Sequence, residues 1–152
     1  MQGSTTTRIT EAEKYVYTRS AAQRITNREI EKLEIWRYCC LVKPRNQRPT
    51  FISKKSFKED FAQSRKKRAS EIGVTHQKIN TKLFTVNSSR DIFHNYSVIA
   101  KEDHLYCDCP DQDRQRELNI TPAMCKHGYA VLMTLGCNSL KEYIQKNIYK
   151  QI

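Results

Sequence analysis

The chain has 152 residues, 38% of them hydrophobic and 28% charged, and carries a formal net charge of +11. A length of this order holds one ordinary domain or a small domain with an appendage, and so modest a core often needs a staple such as a metal ion. Four glycines leave little room for a nucleotide-binding glycine loop, and the longest apolar run, Tyr129–Leu135, is far too short for a membrane span.

The first two elements read as helices. Thr10 to Glu13 and Thr26 to Glu29 both have the form of a capping box, in which a hydroxyl and a carboxylate satisfy each other's backbone donors. After the second box, Ile30, Leu33, Trp36 or Arg37, and Cys40 recur at helical spacing. Two helices with a short break invite a helix-turn-helix reading, but no glycine marks the turn and no polar reading face is evident, so a packing role is expected. Residues 43–49 (KPRNQRP) have the composition of a linker.

Ser56 to Glu59 offers a third capping box. Phe57, Phe61, Ala69 and Ile72 then line one face of a helix that Gly73 would stop, with Lys58, Arg65, Lys66, Lys67 and Arg68 over the remainder. From Thr81 the period changes to two. Residues 81–86, 92–100 and 104–109 are expected as a three-stranded antiparallel meander, with turns at 87–90 and 101–103. Tyr129–Leu135 reads as a buried helix ended by Gly136, and Ser139 to Glu142 opens a last helix with Leu140, Tyr143 and Ile144 inward and Ile148 as a further candidate.

Charge is unevenly spread along this order. Residues 1–100 hold 20 Lys and Arg against 9 Asp and Glu, whereas 101–152 hold 7 against 7. The stretch from Lys43 to Arg68 has 10 basic residues against Glu59 and Asp60. A field of this sign attracts polyanions, nucleic acid before anionic membrane. The aromatic residues interspersed with this charge, Tyr15, Tyr17, Trp36, Phe57 and Phe61, are assigned to the core rather than to base stacking.

Residues 1–10 are polar and lack the apolar segment of a secretory signal, so an intracellular setting is expected, cytoplasmic or, in a eukaryote, nuclear. Thiols stay reduced there, and six cysteines suggest metal before disulfides. Cys107 and Cys109 are separated by one residue, fifteen residues intervene, and then come Cys125 and His127. On a strand, the first pair projects to one side. In a helix, residues two apart diverge by about 200°, so Cys125 is expected just before a helix and His127 in its first turn. That leaves residues 121–124 irregular despite the helix-start character of Thr121 and Pro122.

Four soft or borderline ligands suit tetrahedral zinc, and with all four positions filled the expected ion is single and structural. Cys39, Cys40 and Cys137 are assigned to packing. His104 is expected as an exposed turn residue, and Asp108, Asp111 and Asp113 as a solvated loop.

The CxC, fifteen residues, CxH pattern, with strands before it, the apolar segment 128–135 after it and Cys109-Pro110-Asp111 at the first pair, resembles the SWIM-type zinc finger. The resemblance covers about residues 70–135. It implies zinc, and association with DNA and with other proteins.

The expected architecture is α+β: a helical N-terminal region (1–42), a basic linker and amphipathic helix (43–73), and a zinc module with three strands and trailing helices (74–152). The expected function is a non-enzymatic nucleic-acid-binding accessory protein, for DNA or RNA. Lys54, Lys55, Lys58, Arg65, Lys66, Lys67 and Arg68 would contact phosphates, which positions a protein without specifying sequence. A protein-interaction adaptor in a larger assembly is the alternative; no membrane and no small-molecule substrate are expected.

Overall fold

The computed structural model describes residues 8–77, 79, 82–87, 91 and 93–150. The chain divides into two compact units, Met1–Gln63 and Ser64–Ile152. Among the described residues it is a mixed α+β protein with six helices and two small antiparallel sheets.

In the first unit, α1 (Glu11–Val16) opens as expected. Thr10 Oγ1 accepts from the Glu13 N–H at 3.1 Å, and Glu13 Oε2 accepts from the Thr10 N–H at 2.9 Å. The next helix, α2 (Arg19–Thr26), is capped by Thr18, whose Oγ1 accepts from the Ala21 N–H at 3.1 Å. Thr26 ends this helix instead of starting another. Its hydroxyl donates back to the Ala22 carbonyl at 2.7 Å, and Asn27 leaves in the left-handed region at φ 54°.

Beyond Asn27 the chain forms a sheet, which corrects the expected second helix. Strands β1 (Ile30–Ile35), β2 (Cys39–Pro44) and β3 (Thr50–Ser53) pair antiparallel in chain order. The misleading helical spacing has a physical origin: the register shifts between Ile30 and Lys32, where β1 bulges. An extra residue there brings Ile30 and Leu33, three apart, opposite Pro44 and Val42 on the same buried face. β-Branched and aromatic residues then favour the extended chain. The expected linker at 43–49 is the end of β2 and its turn into β3, with Arg45 N–H on the Glu29 carbonyl at 2.8 Å and Asn46 at φ 56°. Tyr17, Ala21, Ala22, Ile30, Cys40, Val42, Ile52 and Phe57 form this unit's core.

The helix α3 (Lys54–Ala69) begins two residues before Ser56, because Ser53 does the capping: its Oγ accepts from the Ser56 N–H at 3.1 Å. It ends at Ala69, ahead of the expected stop at Gly73.

In the second unit the expected three-stranded meander has four strands: β4 (Val74–His76), β5 (Leu83–Asn87), β6 (Asn95–Ala100) and β7 (Leu105–Cys107), each pairing antiparallel with the next. A three-residue strand such as β4 is too short to show a period. Thr81, Ile92 and the turn residues 88–90 of the expected meander lie outside the described residues. Helix α4 (Pro110–Glu117) replaces the loop expected between the two ligand pairs. Helices α5 (Lys126–Thr134) and α6 (Leu140–Tyr149) complete the unit.

Phe84, Val86, Val98, Ala100, Leu105, Val131, Leu132 and Tyr143 build this core around the ligand cysteines. Helix α5 is not buried all round, since Met133 is 50% exposed. Ser139 caps α6 by accepting from the Glu142 N–H at 3.1 Å, while Glu142 reaches Asn138 N–H at 2.7 Å. Among the described residues no helix is long and apolar enough to cross a membrane.

Candidate metal centre

Strand β7 delivers the first ligand. Leu105 and Cys107 face inward while Tyr106 between them is half-buried. Asp108 turns the other way, where its Oδ1 accepts from the Ser97 N–H at 2.8 Å and its N–H donates to the Ser97 carbonyl at 3.3 Å. Cys109, still extended at φ −80° and ψ 154°, therefore returns to the side of Cys107. Pro110 then occupies the first turn of α4, where a missing N–H costs nothing.

Both backbone expectations for the second ligand pair hold. Cys125 is the N-cap of α5, extended at φ −92° and ψ 171°, and His127 lies in the helix's first turn. No helix includes residues 121–124. Cys109 and Cys125 are thus both helix caps. Their sulfurs accept from the backbone N–H of Gln112 at 3.5 Å and of Gly128 at 3.3 Å. Each helix start directs N–H groups and the positive end of its dipole at a sulfur, which favours thiolate.

The four ligand atoms lie within 4.8 Å of one another, and all four residues are buried. His127 Nδ1 is 3.8 Å from Cys107 Sγ. Tetrahedral zinc with its usual bond lengths needs a sulfur-to-nitrogen edge of about 3.6 Å, so the spacing fits. The imidazole is 3% exposed and packs against the Tyr96 ring at 4.7 Å between centroids. Among the described residues its Nε2 has no hydrogen-bond partner, whereas Nδ1 faces the Cys107 sulfur. A metal ion among the three sulfurs would take the lone pair of Nδ1, the nitrogen that faces Cys107.

Three thiols in one dry space also oppose one another's ionisation. Hydrogen bonds with Cys109 and Cys125, followed by burial, push the Cys107 thiol far up. Hydrogen bonds from Cys107 and Cys125 hold Cys109 well below the usual thiol range. At Cys125 the bond with Cys107 lowers the value, but the bond with Cys109 and burial outweigh it, and the thiol moves up to about 12. A divalent ion would offset the negative charge that the three sulfurs acquire on losing their protons.

Two glutamines hold this arrangement, and neither stands out in the sequence. Gln112, 2% exposed, donates from Nε2 to the Leu105 carbonyl at 2.7 Å, and its Oε1 accepts from Cys125 Sγ at 3.2 Å. Gln115, fully buried, grips the Met124 backbone at both ends: Oε1 accepts from the N–H at 2.9 Å and Nε2 donates to the carbonyl at 3.0 Å. That clamp sets the residue before Cys125. The signal for α4 lies in Pro110 and in first-turn Asp111 and Asp113, followed by Arg114 and Arg116 in the last turn. Without an apolar stripe, its buried face leaves no periodic trace.

The other candidates fall outside the cluster. His104 is exposed and pairs with Asp103 at 2.6 Å. Asp111 binds Arg65, and Asp113 binds Arg116. Cys40 belongs to the first unit's core and Cys137 to the second's.

The seven basic residues expected at phosphates divide by environment. Lys55, Lys58, Lys67 and Arg68 are exposed on α3. Lys54 is occupied by Glu13 at 2.7 Å, with the Tyr17 ring 5.2 Å from its Nζ. Arg65 is 13% exposed in its side chain and bound to Asp111, and Lys66 lies over the Tyr129 ring at 5.5 Å. Comparison of this chain with protein-family models, with curated proteins and with solved structures gives no match.

Proposed function

We propose that this chain is a zinc-binding accessory protein of the SWIM type, which binds DNA or RNA and catalyses no reaction. The observation that supports it is the buried cluster of Cys107, Cys109, Cys125 and His127, joined by the order strand, helix, helix cap. Three sulfurs and one imidazole suit zinc over harder, oxygen-loving cations. With four protein ligands the site has no open position for water, and three thiolates on Zn²⁺ leave a net charge of −1, a poor Lewis acid. When bound, the ion supplies folding energy.

Nucleic acid is the partner that fits the net charge of +11. Lys55, Lys58, Lys67 and Arg68 are the contacts, exposed on α3. Lys54, Arg65 and Lys66 serve intramolecular contacts first. The test is titration of labelled DNA and RNA at several salt concentrations. Affinity falling steeply with salt is expected, and reversing the charge of the four exposed residues should weaken it and flatten that salt dependence. Binding indifferent to salt, or none at low salt, would overturn the reading.

The adaptor reading has one observation of its own. Met133, Leu135, Ile148 and Tyr149, on or directly after α5 and α6, are 50, 37, 55 and 77% exposed. A protein partner held there would survive the charge reversal on α3.

A further inference from the structure

The sheet of the first unit buries one face and leaves aromatic rings on the other. Cys40, Val42 and Ile52 face the core. Alternation and register put Lys32, Glu34, Leu41, Lys43 and Phe51 on the opposite side, and Trp36 continues it just beyond β1. Trp36, Tyr38 and Phe51 remain 45, 78 and 59% exposed. The Trp36 and Phe51 rings meet edge to face, with centroids 5.3 Å apart. Glu34 on the same face tethers the indole as well, its Oε2 accepting from Trp36 Nε1–H at 3.1 Å.

A small core gains most by burying its aromatics, so two rings oriented together in solvent mark a surface built for contact. The charges around them narrow the partner. Residues 30–53 contain five basic residues and two acidic ones. Lys32 and Lys43 are directly opposite across β1 and β2, a like-charge pair that disfavours the sheet unless an anion offsets it. Glu34 and Glu31 answer them in part, by ion pairs to Lys32 and Lys43 respectively. Arg37 extends over the Tyr38 ring at 5.1 Å.

We propose that this face binds single-stranded nucleic acid, with bases stacking on Trp36 and Phe51 and phosphates meeting Lys32, Arg37 and Lys43. The proposal rests on nucleic acid being the partner of this chain and adds strandedness to that reading. Aromatic rings on an open sheet can take unpaired bases, whose flat faces are free, whereas a duplex keeps those faces inside its own stack.

The only tryptophan in the chain is Trp36, so its emission reports on this face directly. The full chain is titrated with a twelve-residue oligothymidylate and, separately, with a twelve-base-pair duplex. Quenching by the single strand and little by the duplex is expected. In anisotropy measurements with a labelled oligothymidylate, Phe51→Leu and Trp36→Leu should each weaken single-strand binding by about tenfold, with far-ultraviolet circular dichroism unchanged. Duplex affinity should stay as in the parent.

If neither nucleic acid binds at low salt, the wider reading falls and this one with it. If both bind with salt-dependent affinity, yet Trp36 emission is unmoved and Phe51→Leu binds as the parent does, base stacking alone is overturned. Emission that changes with protein concentration and not with oligonucleotide assigns the face to a second copy of the chain, and overturns the proposal too.

Discussion

Arg65 closes a fork on Asp111, its Nε donating to Oδ2 at 3.0 Å and its Nη2 to Oδ1 at 2.8 Å. Asp111 Oδ2 also accepts from Gln115 Nε2 at 3.2 Å. A residue that sequence alone places among the phosphate contacts therefore supports the metal centre, through the helix that separates its two ligand pairs. The geometry is bidentate and the guanidinium largely shielded, which places it above ordinary surface ion pairs.

Arg65→Ala is accordingly expected to destabilise the second unit by about 1.5–3 kcal/mol, read from urea unfolding. Arg65→Lys should restore only part, since an ammonium cannot make the two-bonded fork. The salt dependence of nucleic-acid binding should be unchanged in either variant that still folds. A change in that slope would return Arg65 to the phosphate contacts.

Removing Gln115 exposes the value of its clamp. Gln115→Ala leaves the N–H and carbonyl of Met124 without their side-chain partner, each worth about 1–3 kcal/mol when buried and unmet. Zinc competition against a chromophoric chelator should show weaker binding than in the parent, although Gln115 is no ligand. Equal zinc affinity would show that residues 121–124 hold Cys125 in place unaided.

Metal removal should distinguish the two units. Structural zinc contributes on the order of 10–16 kcal/mol in small zinc peptides, and the cluster lies within the second unit's core. Chelation is expected to abolish amide protection in β5, β6 and α5 while leaving β1 to β3 protected. Elemental analysis should give one zinc per chain, and Cys109→Ser should reduce it. Full zinc and full folding in that variant would contradict the assignment.

The first unit should respond to acid through Glu13. Its hydrogen bond from Lys54, then that from the Thr10 N–H, holds the carboxyl below its ordinary value of 4.5. A depressed value in the folded state means stability that is whole above 4.5 and drains away as pH falls through the folded value. The stability difference between parent and Glu13→Gln should be constant at neutral pH and shrink below that point. A difference that persists undiminished at pH values well beneath it would deny Glu13 this role.

The ligand set and the break before α5 are legible in the sequence because metal chemistry fixes residue types and spacing at once. Cys125 and His127 cannot share an ion from mid-helix, so the cap position follows from geometry alone. The β1–β2 hairpin is not legible, because one bulge changes its period to resemble a helix. Helix α4 escapes notice for a different reason. Its buried side chains are the amides of Gln112 and Gln115, chosen for hydrogen bonds that only the folded chain supplies. The same bulge-altered period assigns Trp36 to a core, and the sheet turns it outward.

The capping sulfurs have a kinetic corollary. The amides of Gln112 and Gly128 donate to Cys109 and Cys125, and both sulfurs belong to one cluster. Loss of the ion would unfasten the starts of α4 and α5 in a single event. These two amides, distant in sequence, should then exchange with solvent deuterium at one shared rate, set by zinc departure rather than by the fraying of either helix.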